Sequence, residues 1–329
     1  MPKNPTHAYL DLDAVLFSAA SAGEQVKYTY YDGNDNEVAG FDSAEKGKAW
    51  LEGMVMLGIE QEYRRETTYE IHDVEKAYKT FDHILDKWIK KSKCDKWTGY
   101  VSKNSGTENF RHQIATVAQY KGNRSPDARK PHYLEAVRKY ALTHPNIKKG
   151  VGSVEVDDIT MALAQRKGER GLVTSVDKDI RNCVNAWFLI PDEMEKAQFS
   201  KGDIVGEIRW DKSAKKAKGC GYLFLLQQAS AGDNCDGYFG CKGLGHAGAV
   251  KLLEPFSGKP MSYLPQAVKV ISDRYMKVYG KEYKYNHWNT GEEIIASGND
   301  IFIEMLHLAY MKKSTTDICP LIEIVENLK

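Results

Sequence analysis

Four groups of acidic side chains recur along the chain: Asp11; Glu155, Asp157 and Asp158; Asp177 and Asp179; Asp233 and Asp236. The first and third follow short apolar runs, residues 7–10 and 171–176. Carboxylates at the C-terminal ends of buried strands are where open α/β sheets place their chemistry, and parallel topology gathers such ends at one edge. Two unit charges about 4 Å apart repel by roughly 4 kcal/mol at an effective dielectric of 20. Carboxylates collected in this way must bind cations or take up protons. All-oxygen ligation suits Mg²⁺ or Mn²⁺ better than zinc. Two such ions about 4 Å apart serve in-line phosphodiester cleavage. Each group also has an ordinary explanation. Asp13, beside Asp11, reads as a helix N-cap, and acids in a first helical turn suit the helix dipole. Three acids in four residues at 155–158 exceed what capping requires.

Two further stretches could contact a phosphate chain. Asp233 and Asp236 lie three apart, a spacing that shares one helix face, and they follow an apolar helical run at residues 222–229. Gly237, Gly240, Gly243 and Gly245 then recur too densely for a helix interior, and a new helix begins at Ala247. A helix, a glycine hairpin and a second helix can hold a phosphate backbone with main-chain N–H groups and a helix N-terminus. Taken alone, the pattern is a glycine turn between two helices. The other stretch is Tyr120-Lys121-Gly122-Asn123-Arg124, followed by Arg129 and Lys130. It sets cations beside an aromatic surface, which suits a single-stranded or frayed nucleic-acid end.

Apolar periodicity supplies the elements that would position these groups. Strands are expected at 7–10, 97–102, 147–151 and 171–176, with edge strands at 187–190 and 204–210. A hairpin is expected over 26–41, turning at Asp32-Gly33-Asn34-Asp35-Asn36. Amphipathic helices follow from the stripe Trp50, Leu51, Met54, Val55 and Ile59, and over 77–93, from Pro131, over 264–279 and over 291–312. Residues 212–218 read as a basic loop. Fold class is therefore α/β.

The 329 residues are ample for a sizeable core, as one large domain or two moderate ones. Lys and Arg number 46 against 45 Asp and Glu, a formal net charge of +1. A protein that only grips DNA is usually more basic. Near-neutrality fits a nuclease whose acidic centre offsets a basic surface, and it fits many other enzymes equally well. The six cysteines show neither a CxxC pair nor zinc-ligand spacing, so free thiols in a reducing cytosol are expected. No window approaches eighteen apolar residues and the first residues lack a signal-peptide core, so a cytoplasmic protein without a membrane span is expected.

Taken in order, these motifs resemble the 5′-nuclease (flap endonuclease-like) superfamily and look closest to phage-encoded 5′–3′ exonucleases. Tyr9-Leu10-Asp11 is similar to the family's first metal-ligand strand and residues 120–124 to its YKxxR-type motif. Glu155-Val156-Asp157-Asp158 is similar to its ExDD helix start, and Ser175-Val176-Asp177-Lys178-Asp179 to its S-x-D-x-D motif. Residues 232–248 resemble its helix-hairpin-helix (H3TH) element. The resemblance implies a PIN-like, mostly parallel sheet with flanking helices over 1–210, then a helical H3TH region with C-terminal helices over 211–329. It implies a structure-specific 5′–3′ DNA exonuclease or flap endonuclease that leaves 5′-phosphorylated products. Two Mg²⁺ ions, or Mn²⁺ in their place, would be held by Asp11, Glu155, Asp157, Asp158, Asp177, Asp179, Asp233 and Asp236. Lys121 and Arg124 would assist catalysis, with Tyr120 stacking at the cleaved end. Gly240, Lys242, Gly243, Gly245, His246 and Gly248 would hold duplex DNA, with K⁺ on the hairpin carbonyls.

The implied partners are duplex, nicked or flapped DNA, an RNA–DNA hybrid, and replisome proteins, met as a monomer. Four departures stand out. The second strand region, residues 100–106, lacks the family's usual Asp and offers Ser102 or Asn104 instead. In the hairpin Gly237 replaces the usual Asn, and His246 stands where the family often has a basic residue past the last glycine. The short stretch between Arg124 and Glu155 leaves room for only a short arch, which favours digestion from duplex ends. Two other readings stay open: a primer-removing or PIN-type nuclease acting on RNA, and a non-catalytic DNA-structure binder.

Overall fold

The computed structural model describes every residue except 1–3, 60, 104–108, 126–127, 152, 313, 315 and 329. Along the chain, β1 (His7–Asp11) leads to α1 (Asp13–Ala22), β2 (Glu24–Tyr31), β3 (Glu37–Phe41), α2 (Ala44–Met56), β4 (Arg64–Ile71) and α3 (Val74–Ser92). Next come β5 (Lys96–Val101), α4 (Phe110–Ile114), α5 (Leu134–Ala141), β6 (Ile147–Lys149), α6 (Val156–Lys167), β7 (Gly171–Thr174), β8 (Ala186–Leu189) and β9 (Gln198–Ser200). The remainder runs β10 (Gly206–Asp211), β11 (Lys216–Gly221), α7 (Tyr222–Ala231), α8 (His246–Leu253), α9 (Leu264–Tyr279), β12 (Tyr283–Asn286), β13 (Glu293–Ala296), α10 (Gly298–Ala309) and α11 (Pro320–Glu326). Met1–Asp13, Trp88–Ala128 and Pro145–Lys329 form one compact unit; Ala14–Lys87 and Arg129–His144 form another.

The larger unit is built on a sheet of order β6-β5-β1-β7-β8-β9, parallel except for β9. The expected α/β, mostly parallel architecture is thus observed. Strands covered on both faces read as continuous apolar runs, and all four residues of β7 are buried, as are Ala8, Tyr9 and Leu10 of β1. Register pairs Asp11 with Tyr100 and Leu10 with Thr174, so β1, β5 and β7 finish at the same edge. That edge carries Asp11, Ser102 and the Ser175–Asp179 stretch. Residues 187–190 were expected at a sheet edge; β8 is instead interior, because β9 pairs outside it.

The C-terminal part is mainly helical. Eight of the ten residues of α7 are buried, and a helix apolar nearly all round belongs inside a core. α8, α9 and α10 pack around it, and α11 packs on α9 and α10. Two expectations are corrected here. The basic stretch 212–218 is not simply a loop, since residues from Lys216 onward form β11, antiparallel to β10. The helix expected over 291–312 spans only Gly298–Ala309, and β13 precedes it. Ser297 stops backward extension: its N–H donates to Asp300 Oδ2 (2.9 Å), and its hydroxyl accepts from Asp300 N (3.2 Å).

In the smaller unit the expected hairpin is present as β2 and β3, but the sheet has order β3-β2-β4. β4 went unread because its residues, RRETTYEI, are exposed along almost their whole length, so no buried face marks the sequence. Trp50 of α2 packs against Tyr30, Phe41 and Tyr63. Arg129, grouped above with Lys121 and Arg124, is paired with Glu24 and lies 3.4 Å above the Tyr69 ring.

One glycine seats the helix that follows β6 on the strand that leads to Asp177. A Cβ on Gly171 would lie 2.1 Å from the Ala164 carbonyl oxygen of α6. Backbone cannot yield as a side-chain tip can, so Gly171→Ala should destabilise the fold by about 3 kcal/mol, the upper end for overpacking. Urea unfolding of the purified variant tests this; an unchanged midpoint would refute the contact.

Candidate metal centre

The centre starts at the end of β1. Asp11 accepts hydrogen bonds from Asp13 N (3.2 Å) and Ser175 Oγ (2.9 Å). Burial pushes its carboxyl up from 3.8 to about 7, with the charge of Asp13 adding to the effect and Asp177 contributing. Asp13 opens α1 and is not its N-cap; its carboxylate accepts from Ser102 N (2.9 Å) at the end of β5. An acid therefore does stand between the ends of β1 and β5, although it comes from β1's own continuation. Asn104 lies outside the described residues.

Glu155 and Asp158 are locked to each other at the start of α6. Glu155 N donates to Asp158 Oδ2 (3.1 Å). Arg111, 3 % exposed, holds both oxygens of Asp158 at 2.9 Å and reaches Glu155 at 3.3 Å. The rest of its guanidinium donates to the Leu308 and Tyr310 carbonyls at the end of α10. Lys312 N also donates to Asp158, so Asp158 is wholly engaged by protein donors. A buried charge pair is tolerated only with such complete satisfaction. Carboxylate oxygens of Glu155, Asp157 and Asp158 come within 4.8 Å of one another. Asp157 is held well above the usual carboxylate range by burial, then by Glu155, Asp158 and Asp11, against the pull of Arg111. Burial also acts on Glu155, but Arg111 and Lys121 outweigh it and lower its carboxyl.

Lys121 bridges this group to the glycine hairpin. Its ammonium is paired with Glu155 and lies 3.7 Å from Asp236, while its N–H donates to the Asp236 carbonyl (2.7 Å). The backbone of Lys121 has φ +56°, an uncommon value for a residue with a side chain. Gly237 (φ +76°) sits against this turn: a Cβ there would be 3.1 Å from the Gln119 oxygen and 3.2 Å from Lys121 N. Glycine in the position of the family's usual Asn thus lets the two loops touch. Arg124 is exposed and reaches Asp236 at 3.3 Å.

Asp233 and Asp236 do not share a helix face. α7 ends at Ala231, and the two acids lie on a turn closed by paired main-chain bonds between Asp233 and Tyr238. Asp179 is buried, and Gln228 of α7 donates to it. Burial, then Asp177, with lesser effects from Asp236 and Asp233, raise its carboxyl well above the usual range, against Lys178. Asp236 is raised likewise, chiefly by burial; Lys121 works against this, while Glu155, Asp177 and Asp233 add to it. All four acidic groups therefore act on one another.

The other residues expected in the site are differently placed. Tyr120 is 1 % exposed, so its ring presents no open stacking face; its hydroxyl donates to Glu155 Oε2 (3.2 Å). Gly240 is buried, and a Cβ there would meet Gly232 N at 2.3 Å; its role is to let the hairpin fold onto α7. Lys242, Gly243, Gly245 and His246 are exposed at the start of α8, and a Cβ on Gly245 would meet nothing within 4 Å. Gly248 packs on Leu244. His246 bonds to Gln227 (2.7 Å) and is lowered by burial and by Lys178. Sequence reading missed Arg111, Gln228 and Lys178. For Arg111 and Gln228 no local pattern marks them; for Lys178 the signal was a cation between two acids.

These donors fit divalent cations: all are oxygen, and several carboxyls are raised by burial and by the negative charge of their neighbours. A carboxyl raised in the fold binds its proton more tightly there than in the unfolded chain. Its contribution to stability is present below its unfolded value and lost as pH rises through its folded value. For Asp11 that window runs from about 4 to about 7, and Asp157 and Asp179 share its sign. Glu155, being lowered, opposes them. In EDTA the melting temperature should fall between pH 5 and 8, and Asp11→Asn should flatten the slope. Added Mg²⁺ should raise the melting temperature most at the upper end; a Mg²⁺-independent profile would contradict this.

No protein-family model and no curated protein significantly matches the chain. Among solved structures it is similar to the flap endonuclease of bacteriophage T5 in a pseudo-enzyme–product complex with DNA and metal ions. That likeness has 12% identity, a TM-score of 0.43, and covers 76% of this chain and 89% of the other. The same phage protein co-crystallised with metal ions gives 14% identity, a TM-score of 0.42, and coverage of 70% and 82%. The T5 5′-exonuclease with bound zinc gives 15%, 0.35, 71% and 91%. At these scores the likeness bears no weight, and the functional reading rests on the geometry described above.

Proposed function

We propose that this chain is a divalent-metal-dependent 5′ nuclease that hydrolyses phosphodiesters in duplex, nicked or flapped DNA. The observation that supports this best is the gathering of four acidic groups, distant in sequence, around Lys121 at the C-terminal edge of a parallel sheet. Asp11, Glu155, Asp157, Asp177, Asp179, Asp233 and Asp236 would hold the ions, while Asp158 fixes the start of α6 through Arg111. Two Mg²⁺ ions, or Mn²⁺, would supply an activated water and charge stabilisation of the departing 3′ oxygen. Lys121 adds positive charge at the scissile phosphate as negative charge develops, and Arg124 does so from the rim. Tyr120 holds Glu155 in place by its hydroxyl. The exposed Gly243, Gly245 and His246, at and just before the N-terminus of α8, offer their amides to the uncleaved duplex, with K⁺ as the ion suited to the hairpin carbonyls. In this reading the cleaving part is residues 1–210 and the duplex-gripping part 211–329.

Lys121→Ala should lower kcat by about 10²–10³-fold, the usual loss for one electrostatic donor, with DNA affinity changed little. The reverse pattern would make Lys121 a phosphate anchor only. Product-length analysis on 5′-labelled flap, nicked, blunt and hybrid substrates, with Mg²⁺ or EDTA, tests the reading itself. Cleavage that persists in EDTA, or in Asp177→Ala, would overturn it.

A further inference from the structure

Lys178 has no part in the cleavage scheme, yet its ammonium lies inside the acidic centre. Lys178 Nζ is 3.6 Å from Asp179 Oδ1 and makes a close ion pair with Asp233 Oδ2. The two carboxylate side chains are 10% and 6% exposed, whereas the lysine side chain is 44% exposed. Its charged head meets buried carboxylates, the reverse of the usual surface lysine, whose stem is covered and whose head stays in water. On the same carboxylate, Gln228 Nε2 donates to Asp179 Oδ1, and Asn182 Nδ2 holds the Gln228 oxygen at 2.6 Å. A second feature belongs to this side. Tyr238 is 2% exposed, its hydroxyl has no hydrogen-bond partner among the described residues, and it is tied by main-chain bonds to Asp233. A buried hydroxyl without a partner marks a place where a ligand oxygen or an ordered water would be satisfied.

We infer that Lys178 is a tethered counter-cation for the Asp179–Asp233 pair, so that a divalent ion bound on this side must displace its ammonium. This rests on reading the acidic cluster as a metal centre. An ion meeting Asp11 and Asp157 faces carboxylates that crowd one another. An ion meeting Asp179 and Asp233 instead faces a pair already neutralised in part, and it binds only by breaking two contacts of Lys178. The two ions are therefore inequivalent, and the second is bound only at a higher divalent-ion concentration. Lys178 then sets the threshold at which the centre becomes fully loaded. Lys121 differs, because its ammonium spans Glu155 and Asp236 and has a place in the cleavage step.

The test is Mn²⁺ binding to the full-length protein without DNA, read from the free-ion signal in electron paramagnetic resonance. The unsubstituted protein should bind one ion at least tenfold more weakly than the other. Lys178→Met should tighten the weaker site at least tenfold and leave the tighter one unchanged, while Lys178→Arg keeps it weak. In EDTA, Lys178→Met should melt lower than the unsubstituted protein, and Mn²⁺ should restore it. An unchanged or looser second site in Lys178→Met, or tightening in Lys178→Arg, would overturn the inference. Because no DNA is present, a protein that binds ions in this way yet cleaves nothing would refute the nuclease reading alone. A nuclease whose second site ignores Lys178 would refute only the counter-cation.

Discussion

Mutual repulsion among carboxylates is the constraint around which the larger unit is arranged. Asp11, Asp157 and Asp179 are each held above the ordinary carboxylate range, first by burial and then by neighbouring carboxylates. In a medium of low polarity such a group is tolerable only when cations and hydrogen-bond donors surround it. The chain supplies both. Arg111 neutralises Asp158 and part of Glu155, Lys121 spans Glu155 and Asp236, and Lys178 spans Asp179 and Asp233. The charge left uncompensated is what a divalent ion would meet.

Holding those charges in place falls largely to the helical C-terminal part. α7 is apolar almost throughout, yet Gln227 and Gln228 are buried on it and turn their amides to His246 and Asp179. The end of α10 receives Arg111 through the Leu308 and Tyr310 carbonyls. Glu304 of the same helix accepts from Thr116 N and Val117 N, just ahead of Tyr120 and Lys121. Sheet and helices thus share one site: strand ends bring Asp11, Asp177 and Asp179, and helix ends bring the other acids together with the groups that hold Arg111 and Asp179. The glycines of the hairpin divide along the same line. Gly232 and Gly240 pass backbone against backbone and so shape the turn, whereas Gly243 and Gly245 face outward with room for a ligand.

Much of this was legible in the sequence. Strands covered on both faces leave apolar runs, so β1, β5 and β7 could be read directly, and the acids that follow them were visible as a pattern. The long helices α3 and α9 announced themselves by periodicity. What failed to show was anything without a buried face or a local signature. β4 is exposed on both sides, β11 hides in a lysine-rich stretch, and the true start of α10 depends on a Ser297–Asp300 cap. Tyr120, whose sequence neighbours suggested an open ring, is enclosed because its segment is anchored to α10 on one side and to the hairpin on the other.

Residue types and their order determined which chemistry was available: oxygen ligands at strand ends, a Tyr-Lys-Gly-Asn-Arg loop, and glycines where a chain must turn tightly. Those properties are local, carried by each residue and its near neighbours. Tertiary structure alone decided how the charges were paired. Arg111 with Asp158, 47 positions apart, Lys178 with Asp233, 55 apart, and Gln228 with Asp179, 49 apart, are contacts between separate elements. No spacing in the chain encodes them, because which cation meets which carboxylate depends on how the sheet and helices pack, and the energy that selects the pairing arises only once water has been excluded.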